Sequence, residues 1–432
     1  MDEKDSRRRA IVAYGATEPN AGSDLAALKT KAEPVLDSNG NKISYKINGV
    51  KQFITNCGVA DIYSLLAMTP GGPSFFIVEK GTKGLSFGKP EEKHGIHISN
   101  TSQVILDNVE VPVDYLIGSK EGEGISQAVA VFGFTRLMVA AFGLGAGEAA
   151  IQSAIEYAKQ RKQFGKSLME MQGYTHKLLI PHIIHFEAAR AYIEEIANRL
   201  DDGEKGLETE GAIAKLFATE VGNQAAEAAI QAHGGYGYTH EYEVEKIKRD
   251  VRITTIYEGT SEIMQQTIGK NRWREFLQTR GGFYTKIADK MDLLSKEFND
   301  CGAIAVSKAI RNLIEAMEYM REKRLTRDQF ILFQMADMIT AVETAAALCT
   351  KACQLKKEAS PRYEYVRKTA RIYSAEVLSL VAQKVSFYLT SFGSSNLGDI
   401  QKINRSWNLD EIGEFYIGVG EDMNQIARLL SE

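Results

Sequence analysis

Proline is spread so unevenly along this 432-residue chain that it divides the fold before any motif is read. Six of the eight prolines, Pro19, Pro34, Pro70, Pro73, Pro90 and Pro112, lie in the first 112 residues, and only Pro181 and Pro361 follow. Proline has no backbone N–H and breaks helices, so the asymmetry predicts a turn-rich first quarter and a long helical remainder. At roughly 150 residues per domain the length allows two or three domains, each able to bury its own core. The 52 basic and 56 acidic side chains leave a net charge of −4, and 44% of residues are hydrophobic. That composition argues against a disordered chain and offers no basic field for nucleic acid.

Between Ile11 and Leu116 the pattern is short apolar runs bounded by turns: Ile43–Val50, Gln52–Thr55, Ile62–Met68, Ser74–Glu79 and Thr101–Leu106. These read as strands, with Asn48-Gly49 and Gly71-Gly72 as hairpin turns. A spacing near ten residues without intervening helices predicts an antiparallel sheet or small barrel over residues 1–120. After Gly124 the texture becomes helical. The expected helices are Ile125–Lys162, Gln172–Asp201, Thr209–His233, Glu241–Thr254 and Ser261–Gln278, a four-helix bundle over 121–280. Gly281-Gly282 marks a boundary. An additional all-α domain over 281–432 follows, with helices Tyr284–Phe298, Ile304–Lys323, Asp328–Lys356, Arg362–Thr390 and Leu409–Leu430. The expected class is therefore α+β and multidomain.

Cys57, Cys301, Cys349 and Cys353 are too scattered for a disulfide framework, which makes a reducing compartment the default. Cys349 and Cys353 stand one helical turn apart and read as small buried core residues. The mixed-charge start, MDEKDSRRRA, has no apolar stretch of the secretory kind. Around Val131 to Ala150 the apolar run is interrupted by Arg136 and Glu148, so no spanning helix is expected. Gly143-Leu-Gly145-Ala-Gly147 fails as a dinucleotide fingerprint, because Glu148 takes the last glycine place and no βα unit precedes it. Small residues permitting close helix packing are the better account. His182 and His185 lack a carboxylate at the right turn, and no metal site is expected.

Five short segments remain. They are Thr17-Glu18-Pro19-Asn20-Ala21-Gly22-Ser23-Asp24, Lys51-Gln52-Phe53-Ile54-Thr55-Asn56, Arg161-Lys162-Gln163-Phe164-Gly165-Lys166, Gln231-Ala232-His233-Gly234-Gly235-Tyr236-Gly237-Tyr238, and Ile256-Tyr257-Glu258-Gly259-Thr260-Ser261-Glu262-Ile263. In the last of these a carboxylate precedes a glycine at a helix start, where Thr260 can cap and Glu262 falls in the first turn. Each segment alone is weak. In this order, from Tyr14 to Trp273 and with Lys248-Arg249-Asp250 upstream of the fifth, they closely resemble the acyl-CoA dehydrogenase family.

The resemblance implies a β-domain and a helical bundle with FAD held between them and across a subunit contact. It also implies α,β-dehydrogenation of an acyl-CoA thioester with electron-transfer flavoprotein as acceptor. Glu258 matches the catalytic base. Some branches carry that base on the helix at the position of Thr135, which leaves Glu258 as the matching candidate here. An apolar acyl chain expelling water is expected to raise the carboxylate's pKa into a useful range. The Glu258 N–H matches a donor to the thioester carbonyl.

Thr17, Phe53, Ile54 and Thr55 match flavin contacts, with Phe53 where a tryptophan often stacks. Arg161, Gln163, Phe164 and Gln172 match the segment reaching the FAD of a neighbouring subunit, where a guanidinium suits a pyrophosphate. Gln231, Gly234 and Gly235 match the adenine-side loop, and Thr260 and Glu262 further FAD contacts. Ser23, Arg136, Tyr257 and Gly259 match substrate contacts, while Arg136 also reads as part of a buried ion pair. His233 stands where the family commonly has an apolar residue.

Two departures stand out. The family's N-terminal helical domain does not precede the first motif, which reads as a fragment, as a domain supplied by a separate polypeptide, or as a poorly active relative. The residues after Gly282 resemble the extension of the very-long-chain branch, whose members are dimeric and membrane-associated; a homodimer or homotetramer is expected. Lys351, Lys356, Lys357, Arg362, Arg367, Lys368 and Arg371 against Glu358 and Glu364 leave +5, either a site for anionic lipid or a solvated face. The expected location is the cytoplasm, or the mitochondrial matrix of a eukaryote, peripheral to the inner membrane if that cluster meets lipid. Three readings follow: dehydrogenase, acyl-CoA oxidase, or a non-autonomous acyl-CoA-binding subunit.

Overall fold

The computed structural model describes residues 10–298, 300–392 and 409–431. The mixed-charge head lies outside the described residues except for its last alanine. The chain forms two compact units, Met1–Phe132 and Gly133–Glu432.

The first unit is built on strands β1 (Val12–Gly15), β2 (Lys31–Leu36), β3 (Lys42–Thr55), β4 (Ile62–Thr69), β5 (Gly72–Glu79), β6 (Leu85–Phe87) and β7 (Thr101–Pro112). They join in one seven-stranded sheet of order β1-β4-β2-β3-β7-β6, with β5 on β4. The sheet is mixed, which corrects the antiparallel expectation: β4 runs parallel to β1 and, at Lys31 opposite Met68, to β2. Inward-facing Tyr45, Ile47, Tyr63, Leu65, Phe76, Val78, Val104 and Val109 close its core.

Gly71-Gly72 does turn between β4 and β5. Asn48-Gly49 does not turn; it lies inside β3, which continues through both runs read as separate strands. A shift in pairing between Ile47 and Gly49 marks a bulge there. A Cβ on Gly49 would come within 2.7 Å of the Thr30 backbone, so the glycine serves close approach instead of a hairpin.

Helix α1 (Gly124–Gln160) begins before the division between the units and continues beyond it. The second unit then carries α2 (Gln172–Leu178), α3 (Ile180–Asp201), α4 (Glu208–His233), α5 (Gly235–Tyr238), α6 (Val244–Val251), α7 (Ser261–Thr279), α8 (Gly282–Glu297), α9 (Ala303–Glu322), α10 (Gln329–Lys357), α11 (Tyr363–Phe392) and a terminal helix, Val419–Ser431. A short hairpin, β8 (Lys162–Gln163) and β9 (Lys166–Ser167), follows α1. The single helix expected over 172–201 is broken at Leu179 because Pro181 cannot continue the ladder. The last helix is likewise divided, with Leu409–Tyr416 forming 3₁₀ turns and Gly418 at φ +82° starting a new direction.

One hydrophobic core runs from Ala140 to Ile426, so the helices after Gly281 pack with those before it. α1 and α4 approach unusually closely: a Cβ on Gly222 would sit 2.1 Å from the Gly143 carbonyl, and one on Gly147 would sit 2.8 Å from Gly222 Cα. The glycine run is thus a helix-packing device, and Gly145 alone of the three faces open space.

Among the described residues two helices, α1 and α10, are long and apolar enough by length and composition to cross a membrane, although Arg136 and Glu148 lie within α1. For α10 the apolar window is 83% buried, which makes it a core helix. Cys349 and Cys353 are buried as expected, and Cys301 joins them with its Sγ 3.7 Å from that of Cys353.

Candidate functional site

In the first unit the first two motifs form one structure. Lys51 is fully buried on β3, and its Nζ reaches Glu18 Oε1 at 2.8 Å and the Ala16 carbonyl at 3.4 Å. Glu18 also accepts from the Lys29 and Thr30 amides at 2.6 and 3.0 Å. Burial would raise the Glu18 carboxyl, but bonds from Lys51, Thr30 and Lys29 outweigh it and hold the pKa below the usual value. The Gln52 amide donates to the Thr17 carbonyl at 3.0 Å, so the loop bearing Thr17 and Ser23 is docked on the strand bearing Phe53, Ile54 and Thr55. A second pairing shift, between Lys51 and Ile54, turns Phe53 outward at φ +59° with 64% of its surface exposed. Ile54 instead packs in the core and Thr55 is exposed.

In the second unit the third and fourth motifs share an open cleft of about 510 Å³, lined by Tyr157, Arg161, Gln163, Gln231, Gly234 and Gly235 among others. The β8–β9 hairpin presents Phe164 at its tip, exposed and at φ +51°. His233, unusual in sequence, stacks on Tyr157 at 4.6 Å, and its Nδ1 lies 2.8 Å from the Ala229 carbonyl. Gln172 lies apart from this cleft's lining and donates to Asn424 of the terminal helix at 3.1 Å.

The fifth motif is held by α1, α4 and α7. Thr135 Oγ1 donates to Glu258 Oε2 at 2.8 Å, and Arg136 Nε donates to the Glu258 carbonyl at 3.4 Å. Arg136 is buried, which lowers its pKa, against the opposing pull of Glu258 and Glu208. Burial raises the Tyr257 hydroxyl, with Glu258 adding to it. Thr260 caps α7 by accepting from the Ile263 amide at 3.3 Å. Glu262 in the first turn is held below the usual carboxylate range by its own amide and the Thr260 hydroxyl. Thr260 and Glu262 also line a second cleft of about 290 Å³ with Asn223, Lys248 and Arg252, where Asn223 Oδ1 is buried without a partner.

Lys215 was invisible as a site residue. It is fully buried on α4 and donates to the Gly259 carbonyl at 2.8 Å. Burial is the main cause that lowers its pKa to about 8, with Arg136 adding to it against Glu220, Glu258 and Glu262. A lysine in an Ala-rich helix carries no motif, so the sequence holds no local signal for it.

The basic cluster of the C-terminal helices is covered by acids the sequence keeps far away. Lys351 meets Glu194, Lys357 Glu297, Arg362 Glu187, Arg367 Asp300 and Arg371 Asp422, while Lys368 meets Glu364. Lys356 lies over the Phe298 and Tyr363 rings. The +5 counted along the chain is therefore no unopposed field. His185 pairs with Glu376 at 3.2 Å, and among the described residues no His, Cys, Asp and Glu group is arranged to hold a metal.

The residues fit a flavin dinucleotide. Gly234 and Gly235 leave open space in the first cleft where a Cβ would point, beside the stacked Tyr157 and the exposed Arg161. The carboxylate fixed in the turn before α7 can accept a proton from a bound substrate.

Residues 13–109 match the acyl-CoA dehydrogenase middle domain and residues 122–272 its C-terminal domain. An acyl-CoA dehydrogenase of Bacillus subtilis is 44% identical over 265 residues, 60% of this chain and 67% of that protein. The butyryl-CoA dehydrogenase structure from Megasphaera elsdenii is 41% identical over 61% of this chain and 68% of its own, with TM-score 0.57. An acyl-CoA dehydrogenase of Bacillus anthracis, solved with FAD, covers 97% of this chain and 75% of its own with TM-score 0.82; at 24% identity it shows the fold. The chain thus spans about two thirds of the length of such relatives. It belongs to the acyl-CoA dehydrogenase family of FAD-dependent oxidoreductases.

Proposed function

We propose that the chain dehydrogenates an acyl-CoA thioester to the trans-2-enoyl-CoA, with Glu258 taking the α-proton. The supporting observation is the Glu258 carboxylate, held by Thr135 in a turn whose carbonyls are bonded by two buried cations. FAD, when bound, supplies the acceptor for the β-hydrogen as hydride. The α-carbon of a thioester is a weak acid, so its proton needs a carboxylate fixed within reach, and the Glu258 N–H is the donor assigned to the thioester oxygen. Tyr257 and Gly259 flank the acid, Arg136 backs it, and Ser23 is assigned to substrate. Thr17, Phe53, Ile54 and Thr55 are assigned to the flavin end. Arg161, Gln163, Phe164, Gln231, Gly234 and Gly235 are assigned to the dinucleotide end, with Thr260 and Glu262 as further contacts.

Electron-transfer flavoprotein is the proposed acceptor, and a homodimer or homotetramer the proposed assembly. The test is the flavin spectrum of the purified protein and its bleaching by a panel of acyl-CoAs. Loss of bleaching in Glu258→Gln is expected; undiminished bleaching in that variant would overturn the reading. Stoichiometric peroxide in air would make the protein an oxidase.

A second reading, a subunit that another polypeptide completes, draws on the exposed apolar side chains Val131, Phe134, Met138 and Phe142 of α1. It predicts weak flavin retention by the chain alone.

A further inference from the structure

We propose that Lys215 is a positioning residue for the reaction assigned to Glu258: from α4 it holds the Gly259 carbonyl and so fixes the turn that presents the acid. The inference rests on that reading of Glu258.

Glu258 and Gly259 are consecutive residues with positive φ, +57° and +97°. A glutamate is strained in that region and stays there only where its surroundings over-determine it. A side chain on Gly259 would also meet Met264 at 2.5 Å, so the turn has little room to relax. Its two carbonyls precede the first turn of α7 and take no part in the helix ladder. Arg136 reaches the Glu258 carbonyl at 3.4 Å, a long bond, whereas Lys215 reaches the Gly259 carbonyl at 2.8 Å. The shorter restraint is therefore the lysine.

A fully buried lysine is rare and costly. The bond to the Gly259 carbonyl is what the buried ammonium makes in return. The charged groups facing it are Glu220 on its own helix, Arg136 on α1, Glu258 in the turn and Glu262 on α7. With its pKa lowered to about 8, Lys215 is charged below that pH and neutral above it. A neutral amine still donates, but without charge assistance. The hold on the turn, and with it the rate, then weakens on the alkaline side.

The experiment uses purified FAD-containing protein, with butyryl-CoA and palmitoyl-CoA as probes. In Lys215→Met the limiting rate of flavin bleaching is expected to fall by about tenfold or more, the scale for a lost charge-assisted hydrogen bond. Flavin content and acyl-CoA affinity should change little, and the alkaline limb near pH 8 should disappear. Lys215→Arg should recover part of the rate. Amide hydrogen exchange of the segment 256–263 should rise in Lys215→Met. In the wild type, corrected for intrinsic base catalysis, it should rise across pH 8 while α3 stays protected. That last measurement needs no variant to fold and no turnover.

An unchanged limiting rate together with unchanged exchange would overturn the proposal. Wild-type protein that no acyl-CoA bleaches would overturn the assigned reaction instead, while the exchange would still report whether Lys215 holds the turn.

Discussion

Thr135 and Glu258 are 123 residues apart in sequence, yet their side chains share a 2.8 Å hydrogen bond. The donor sits on a long helix and the acceptor in a strained turn, so the bond sets the direction of an otherwise loosely anchored carboxylate. Thr135→Val keeps the shape and removes the donor. A hydrogen bond to a charged group contributes about 1.5–3 kcal/mol when buried, and this pair is half-buried. The lower end, about tenfold in rate, is expected for flavin bleaching by acyl-CoA, with the melting temperature nearly unchanged. A variant as fast as the wild type would show that Glu258 is aimed by something else.

The close crossing of α1 and α4 supports the same turn, because α1 carries Thr135, which bonds the Glu258 carboxylate, and α4 carries Lys215, which bonds the Gly259 carbonyl. Gly222→Ala would place a methyl group 2.1 Å from the Gly143 carbonyl. The helices must separate, at a cost of about 1–3 kcal/mol for overpacking. Gly145→Ala, which meets nothing within 4 Å, is the control. Thermal denaturation should show a clear loss for the first and none for the second.

Much of the site was legible because its parts are local. Thr260, Ser261 and Glu262 announce a capped helix, and the structure caps it. The motifs of 17–24 and 51–56 were also legible, but not what joins them, since a buried Glu18–Lys51 pair leaves no periodic trace. Asn48-Gly49 suits a hairpin and a bulge alike, and the neighbouring strands decide between them. The partners of the basic cluster over 351–371 are hidden for a related reason: Glu187, Glu194 and Asp422 come from distant helices.

Arg272 on α7 is buried with Glu343 of α10 at 2.8 Å and Glu210 of α4 at 3.0 Å. Tyr284 and Tyr192 donate to the same Glu343 carboxylate at 3.0 and 3.1 Å. One acid thus gathers helices from both sides of Gly281. Arg272→Met leaves that carboxylate buried without its cation, and a loss of about 3–5 kcal/mol is expected. Adding Glu343→Gln should return part of it, because the remaining amide still accepts from the tyrosines. Additive losses in chemical denaturation would show the two side chains to be uncoupled.

Glu121 provides a pH-dependent test of the first unit. Burial alone would raise its pKa, but Lys42 Nζ at 2.6 Å, the Tyr45 hydroxyl at 2.7 Å and the Gly71 amide at 2.8 Å all donate to its carboxylate. Together they lower it from 4.5 to about 2. A carboxyl depressed on folding contributes stability that is fully present above its unfolded value and is lost as pH falls through the folded one. The window therefore runs from about pH 4.5 down to about pH 2, and after allowance for partial exposure the contribution is on the order of 2 kcal/mol. Glu121→Gln should lower stability at neutral pH by that amount, and the two proteins should converge as the pH approaches 2. The readout is urea denaturation at a series of acid pH values, followed by a signal from the β-sheet. A constant difference between variant and wild type across the whole series would mean that the Glu121 charge is not what the three donors hold.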